Sequence, residues 1–140
     1  MTNDPANIDK ALRTAVIALL GTTPYAAEGI VFDPPQTGVY CELTNLPGLV
    51  FAATLGSGGE DEHVGLYQVD VVQPKIEGTK ATDAIVSALY QAFPIGKGMQ
   101  FNNQAVIVSG FQRSGRRTDG TRNRVAVSIY WRAHLTRTPV

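Results

Sequence analysis

The chain has 140 residues, a formal net charge of zero and a single cysteine, Cys41. This length predicts one domain, residues 1–140, that buries about two-thirds of its unfolded surface without needing a metal or a disulfide. Hydrophobic residues make up 44% of the sequence, which excludes an intrinsically disordered chain. The longest helical apolar run, 15–20, is too short to cross a bilayer.

Although the net charge is zero, acidic and basic residues are concentrated in different halves of the chain. Residues 1–77 hold three bases and ten acids, a net charge of −7, whereas residues 78–140 hold nine bases and two acids, a net charge of +7. If the two halves end on opposite faces, the molecule has a dipole suited to head-to-tail contact between copies. The alternative is that the charges cluster by chance in loops, where salt screens them.

Two helices are predicted from apolar residues at helical spacing. For the first, Asp4 can cap the N-terminus, Pro5 suits the first helical position, and Gly21 supplies the left-handed conformation that ends helices. The second runs over 79–93 and carries an alanine-rich stripe, which allows close packing against a sheet.

Alternating apolar and polar residues predict the strands. In chain order, the predicted strands are 31–32, 39–44, 49–55, 64–73, 104–111 and 122–134. Glycine, asparagine and charged residues predict a turn at 45–48, a flexible acidic loop at 56–63 and a basic loop at 112–121. With the short strand at 31–32 left aside, the order is α-β-β-β-α-β-β. It predicts an α+β fold in which two helices pack on one face of a mainly antiparallel sheet.

Residues that could support catalysis are few and scattered. His63 lies in the acidic loop and His134 near the end of a strand, and neither has a second ligand at zinc spacing. Cys41 lies on an alternating apolar face, which favours a buried structural thiol over a nucleophile. The sequence therefore predicts no enzyme, no metal site and no cofactor.

Two charged segments are candidates for intermolecular contact. The basic candidates are Arg113, Arg116, Arg117, Arg122 and Arg124, and the acidic candidates are Glu60, Asp61 and Glu62. Arginine forms bidentate hydrogen bonds to phosphate or carboxylate, so the basic loop could follow a nucleic-acid backbone or pair with the acidic loop of a neighbouring copy. A merely solvated hairpin loop is the third interpretation.

A strand–helix motif occupies the middle of the chain. The segment Gly65–Pro74, GLYQVDVVQP, is followed by Gly78, Ala81 and an apolar helix that ends at Phe93. A strand of the pattern G-x-Y-Q-[IV]-D-V-x-x-P that leads into such a helix resembles the tail-terminator (tail-completion) proteins of tailed bacteriophages. The first helix and the final basic hairpin also fit, so the likeness covers most of the chain.

The resemblance implies a structural role in the virion. Members of that family form a ring, typically a hexamer, that sits on the last ring of tail tube protein, stops tube growth and offers a surface to the head-side connector. The strand 65–73 and the helix 79–93 would form the core, and the loops 56–63 and 112–121 would reach neighbours or line the lumen. The implied partners are copies of the chain, the tail tube protein, a neck or connector protein and DNA passing through the lumen, with no membrane. Assembly would take place in the host cytoplasm.

Two alternatives remain open from the sequence. A neck or head-closure component would follow the same assembly logic. A small nucleic-acid-binding module would use the arginine loop and would show DNA affinity that falls steeply with salt.

Overall fold

A computed structural model describes residues 4–29, 32–56 and 58–137. Within these ranges the chain forms a mixed α+β fold with two α-helices and a mostly antiparallel sheet, as predicted. The helices are α1 (Ala6–Leu20) and α2 (Lys80–Ala92). The strands are β1 (Tyr25–Ala26), β2 (Tyr40–Ala52), β3 (Glu60–Pro74), β4 (Gly98–Phe101), β5 (Gln104–Arg113), β6 (Arg117–Asp119) and β7 (Arg122–Thr136). A short 3-10 helix, Lys75–Glu77, follows β3.

The sheet has the strand order β1-β2-β3-β7-β5-β4, with β6 paired to β7. All neighbours are antiparallel except β1 and β2. Because β1 pairs only with Cys41 and Glu42, most of β2 is an open edge. The opposite edge is formed by β4 and β5.

One face of the sheet and both helices share a single apolar core. Leu12 of α1, Leu89 of α2 and Val127 of β7 are fully buried in it. Because side chains alternate across a strand, every second residue enters this core along β7 from Val125 to Leu135 and along the middle of β3 from Tyr67 to Val71. The residues between them face away from the helices.

Both predicted helices are confirmed. Asp4 Oδ1 accepts a hydrogen bond of 3.0 Å from the Ala6 N–H at the start of α1. Gly21 follows α1 with a φ of 60°, and its N–H donates to the carbonyl oxygen of Ile17. Helix α2 lies within the predicted range 79–93.

The predicted turn at 45–48 and the separate strand at 49–55 are wrong. β2 is one continuous strand that passes Pro47 and Gly48 through an irregularity between Pro47 and Val50. A β-bulge at a sheet edge tolerates proline and glycine, which would break a central strand. Pairing with β3 therefore overrides the local turn preference.

The predicted loop at 56–63 is wrong in its second half. The acidic residues Glu60, Asp61 and Glu62 belong to β3, and the connection from β2 is 53–59. This part of β3 lies between β2 and β7, so its backbone pairs on both sides. The tertiary pairing fixes it as a strand despite its charge.

Other short strands also differ from the prediction. Of the predicted strand 31–32, Val31 lies outside the described residues and Phe32 is not in a strand; the short strand is β1 instead. β4 and β6 were not predicted. Asn102 and Asn103, both with positive φ, form the two-residue turn between β4 and β5, a conformation that asparagine tolerates.

Candidate assembly surfaces

Position 65 of β3 requires glycine, because neighbouring atoms leave no room for a side chain. A Cβ at this position would lie 2.7 Å from the Trp131 ring and 2.8 Å from the carbonyl oxygen of Leu46. Trp131 is buried, and its Nε1 donates to Asn45 Oδ1 at 3.3 Å. The glycine therefore allows the indole of β7 to pack across β3.

Asp70 of β3 belongs to a network around Arg124 on the sheet face away from the helices. Arg124 Nη1 donates to Asp70 Oδ2 at 3.0 Å, and Nη1 and Nη2 donate to the two oxygens of Glu42 at 3.2 and 3.1 Å. Asp119 Oδ2 lies 3.4 Å from Nη2. Hydrogen bonding to Glu42 is the main cause that raises the pKa of Arg124 above its ordinary value. The network links β2, β3, β6 and β7.

Gln73 connects β3 to the start of α2. Its Oε1 accepts hydrogen bonds from Thr82 Oγ1 at 2.8 Å and from the Thr82 N–H at 3.3 Å. Both side chains are buried. The polar residues of the segment Gly65–Pro74 thus have structural roles within the subunit.

The predicted arginines do not form one cluster. Arg113 and Arg116 lie 3.5 and 2.8 Å from Asp83 Oδ1, so the loop after β5 is tied to the first turn of α2. These side chains are partly exposed, and surface ion pairs of this kind contribute about 1 kcal/mol or less. The pairing orients the loop while leaving its arginines accessible.

The remaining arginines have different environments. Arg122 Nη2 donates to the Pro35 carbonyl oxygen at 3.0 Å, and its guanidinium lies 5.1 Å from the centre of the Tyr40 ring. Arg124 is enclosed in its carboxylate network. Arg117 is exposed and forms no ion pair with any residue that the structure describes.

The acidic candidates lie together at the start of β3, each beside a cation or a histidine. Glu60 and Glu62 flank His134 of β7 at 3.7 and 3.6 Å. Asp61 Oδ1 accepts a hydrogen bond of 2.7 Å from Arg137 Nη2. This end of the long strands thus holds three carboxylates and Arg137, whereas Arg117 lies at the other end and Arg113 pairs with Val127 near the middle of β7.

Arg137 fastens the connection between β2 and β3. Its N–H donates to the Gly59 carbonyl oxygen at 2.6 Å, and its Nη2 donates to the Thr54 carbonyl oxygen at 3.0 Å. Its Nη1 donates to the Gly56 carbonyl oxygen. With the ion pair to Asp61, these contacts form an Arg137 clasp that holds the connection against the end of β7.

The end of β2 and the connection after it carry several exposed apolar residues, here together called the tip surface. Its members are Leu46, Leu49, Val50, Phe51 and Leu55. The side chains of Leu49 and Leu55 are 72% and 92% exposed. The sequence does not predict this surface, because residues 49–55 have the pattern of an ordinary strand of the sheet.

A second apolar surface, the α2–β5 groove, lies on the helix side near the opposite edge of the sheet. It has a volume of about 320 Å³ and is lined by Tyr90, Gln91, Phe93, Pro94, Ile95 and Phe111. The rings of Tyr90 and Phe111 meet edge to face with centroids 5.3 Å apart. Arg113 lines the adjoining depression beside these two rings.

Burial makes the single cysteine unsuited to act as a nucleophile. Cys41 is fully buried, and burial raises the pKa of its thiol to about 12, so it stays protonated at neutral pH. Among residues 4–29, 32–56 and 58–137, no group of three or more histidine, cysteine or acidic side chains is placed to hold a metal ion. Neither of the two α-helices in these ranges has the length and apolar character that a bilayer crossing demands.

Comparison with known proteins identifies the family. The model of the phage tail terminator protein family matches residues 7–131. The chain belongs to this family. The resemblance seen in Gly65–Pro74 is thereby confirmed, and this tail terminator is a structural component of a phage virion.

Solved structures share the fold. One is 24% identical over 91% of both chains, with a TM-score of 0.70. Another, from the virion of a native gene transfer agent particle, is 19% identical over 94% of this chain and 92% of its own, with a TM-score of 0.50. No curated protein matches the chain significantly.

Proposed function

We propose that this tail terminator forms a ring, a hexamer by its resemblance to the family, that caps the head-proximal end of the tail tube. The ring ends tube polymerisation and provides the surface for head–tail joining. The observation that carries the proposal is the presence of two different apolar surfaces at opposite edges of one sheet, the tip surface and the α2–β5 groove. Contacts between unlike surfaces are the kind that close subunits into rings.

The two ends of the long strands carry different charges, which supports a ring whose two faces differ. Glu60 and Glu62 lie at one end of the long strands, and Arg116 and Arg117 at the other. We propose that one end contacts the tail tube protein and the other the neck or connector protein. Because the two ends differ in charge, the outer face would not accept another tube subunit, and elongation would stop.

The basic loop takes part in these contacts in our proposal. Arg117 is free to reach a neighbouring subunit or DNA that passes through the lumen. A dedicated nucleic-acid-binding module is less consistent with the geometry, because Arg113 and Arg116 pair with Asp83 and Arg124 with its carboxylate network. The family match favours a terminator over a neck protein.

A tube elongation assay tests the proposal. Purified tail tube protein is polymerised with and without the terminator, and tube lengths are measured by negative-stain microscopy. We expect shorter tubes with rings at one end. Tubes of unchanged length with bare ends would contradict capping, and an elongation block would also exclude a neck protein.

Charge reversal tests the part played by the basic loop. The double variant Arg116→Glu and Arg117→Glu should weaken ring formation or docking and lengthen the tubes. The double variant Lys10→Glu and Arg13→Glu on α1 is the matched control, since it changes the net charge equally. Equal tube lengths for both variants and the wild type would remove the basic loop from the mechanism.

A further inference from the structure

We infer that the tip surface of one subunit inserts into the α2–β5 groove of the next copy, so that a second copy of this chain occupies both surfaces. This contact rests on the proposed ring and gives it a specific interface. The exposure of the tip, the shape of the groove and the charges beside each support this contact.

The apolar residues of the tip surface are exposed to solvent and are not part of the core of the subunit. Leu49 and Leu55 face water, although burying apolar surface stabilises by about 25 cal/mol per Å². Leu49, Val50 and Phe51 are consecutive in the chain and all exposed, and such a run of exposed apolar residues is typical of an interaction site. The Arg137 clasp holds the connection that carries Leu55, so little conformational freedom would be lost when the tip binds.

The groove offers a concave apolar receptor. Two aromatic rings, Tyr90 and Phe111, stand nearly perpendicular at 76° and form one wall. Pro94 and the largely exposed Ile95 also line the groove. Its volume of about 320 Å³ suits apolar side chains rather than an extended partner. Aromatic pockets are typical anchor sites in protein interfaces.

Charge favours a contact between a tip and a groove over contacts between two tips or between two grooves. The carboxylates of residues 60–62, at the tip end of β3, outnumber Arg137, the arginine paired with them. Beside the groove, Arg113 shares the single carboxylate of Asp83 with Arg116, so positive charge is in excess there. A tip-to-tip contact would bring carboxylates together, and a groove-to-groove contact would bring arginines together. Only the tip-to-groove contact opposes acids to a base, and like-charge contact across an interface is unfavourable.

The positions of the two surfaces fit a head-to-tail arrangement. The tip surface belongs to the β2 edge of the sheet and the groove to the β5 edge. Each subunit can therefore bind one copy through each edge, and the contact propagates until the circle closes.

Complementation between two variants tests the inference. The tip variant carries Leu49→Ser and Leu55→Ser, and the groove variant carries Tyr90→Ser and Ile95→Ser. All four positions are exposed, and serine adds no charge that could create a new contact. Ile76→Ser is the control, since Ile76 is 95% exposed but lies outside both surfaces. Circular dichroism checks that every variant is folded.

Native mass spectrometry at high protein concentration provides the readout. We expect closed oligomers for the wild type and for Ile76→Ser. Each double variant alone should be monomeric, with association weakened about tenfold or more. An equimolar mixture of the two should form a heterodimer, because one intact tip meets one intact groove.

Three results would overturn the inference. The groove variant dimerising alone would indicate a tip-to-tip contact. A monomeric mixture beside an oligomeric wild type would assign the tip to another partner, such as the tube protein. A wild type that stays monomeric would remove the self-contact. In contrast, rings that form through this interface but leave tube growth unchanged would refute the capping function alone.

Discussion

The central segment of β3 and the tip of the β2–β3 hairpin differ in how completely the subunit itself covers and pairs their side chains. In the centre, the space above Gly65 is filled by Trp131, and Asp70 is neutralised by Arg124. At the tip, Leu49 and Leu55 face solvent. Within the described residues, no buried side-chain nitrogen or oxygen lacks a hydrogen-bond partner. The centre is thus satisfied by the subunit itself, whereas the tip has surface that only another molecule would cover.

The largest expected effect comes from filling the space at the centre. Gly65→Ala should lower the free energy of unfolding by about 3 kcal/mol, because the new Cβ overlaps the Trp131 ring and a backbone oxygen. Urea denaturation measures the change. Gly115→Ala is the matched control, since a Cβ there meets nothing within 4 Å. An equally stable Gly65→Ala variant would show that the indole does not pack at this position.

Removing the cation from the network should have the next largest effect. Arg124→Met leaves Asp70 and Glu42 without their shared partner, and we expect a loss of about 2 kcal/mol in the free energy of unfolding. Adding Asp70→Asn to this variant should restore part of the stability, because one unpaired carboxylate is removed. Arg117→Met, at an exposed arginine, should be neutral within about 0.5 kcal/mol. Equal losses for Arg124→Met and Arg117→Met would contradict the role of the network.

Alkaline pH should destabilise the folded protein, because the Cys41 thiol and the Tyr67 hydroxyl are held protonated by burial. Burial raises the pKa of Cys41 from 9.0 to about 12, and burial also raises the pKa of Tyr67 above its ordinary value. Because the unfolded thiol ionises first, its contribution is complete below pH 9 and is lost as the pH rises towards 12. The free energy of unfolding should fall by about 1.4 kcal/mol per pH unit from the thiol alone.

The variant Cys41→Ala isolates this contribution. Its stability should decline less steeply than that of the wild type between about pH 9 and 10, because it lacks the thiol while Tyr67 contributes equally in both proteins. Denaturant unfolding at several pH values gives both slopes. Parallel slopes for the two proteins would indicate that the thiol is accessible in the folded subunit.

The smallest expected effect on the monomer comes from the tip. Leu55→Ser should change the free energy of unfolding by less than about 0.5 kcal/mol, because the side chain is 92% exposed. Leu12→Ala in the core should cost about 3 kcal/mol by comparison. Thermal unfolding of dilute monomer measures both. A loss above about 1 kcal/mol for Leu55→Ser would mean that Leu55 supports the subunit fold, and the contrast between the two regions would weaken.

The sequence predicted the elements whose signals are local. Helix spacing located α1 and α2, and alternation located the cores of β3 and β7. It failed at Pro47 and Gly48, where turn-forming residues are held in an edge strand by pairing with β3. Local preference carries no information about such a partner strand.

The candidate surfaces were predictable only in part. Charge density identified the arginines and the acidic segment, but Asp83, the partner of Arg113 and Arg116, is distant in sequence. The tip surface and the groove depend on which strand lies at an edge and how α2 meets β5. In the sequence, the apolar residues of both surfaces cannot be distinguished from core residues until the order of the strands in the sheet is known.

Whether copies of this subunit close into a ring is best tested by native mass spectrometry combined with negative-stain imaging. The purified protein is measured over a range of concentrations, alone and beside tail tubes. We expect one closed species, a hexamer, visible as a ring in solution or at the tube end. A protein that stays monomeric at high concentration and leaves the tube ends bare would contradict it.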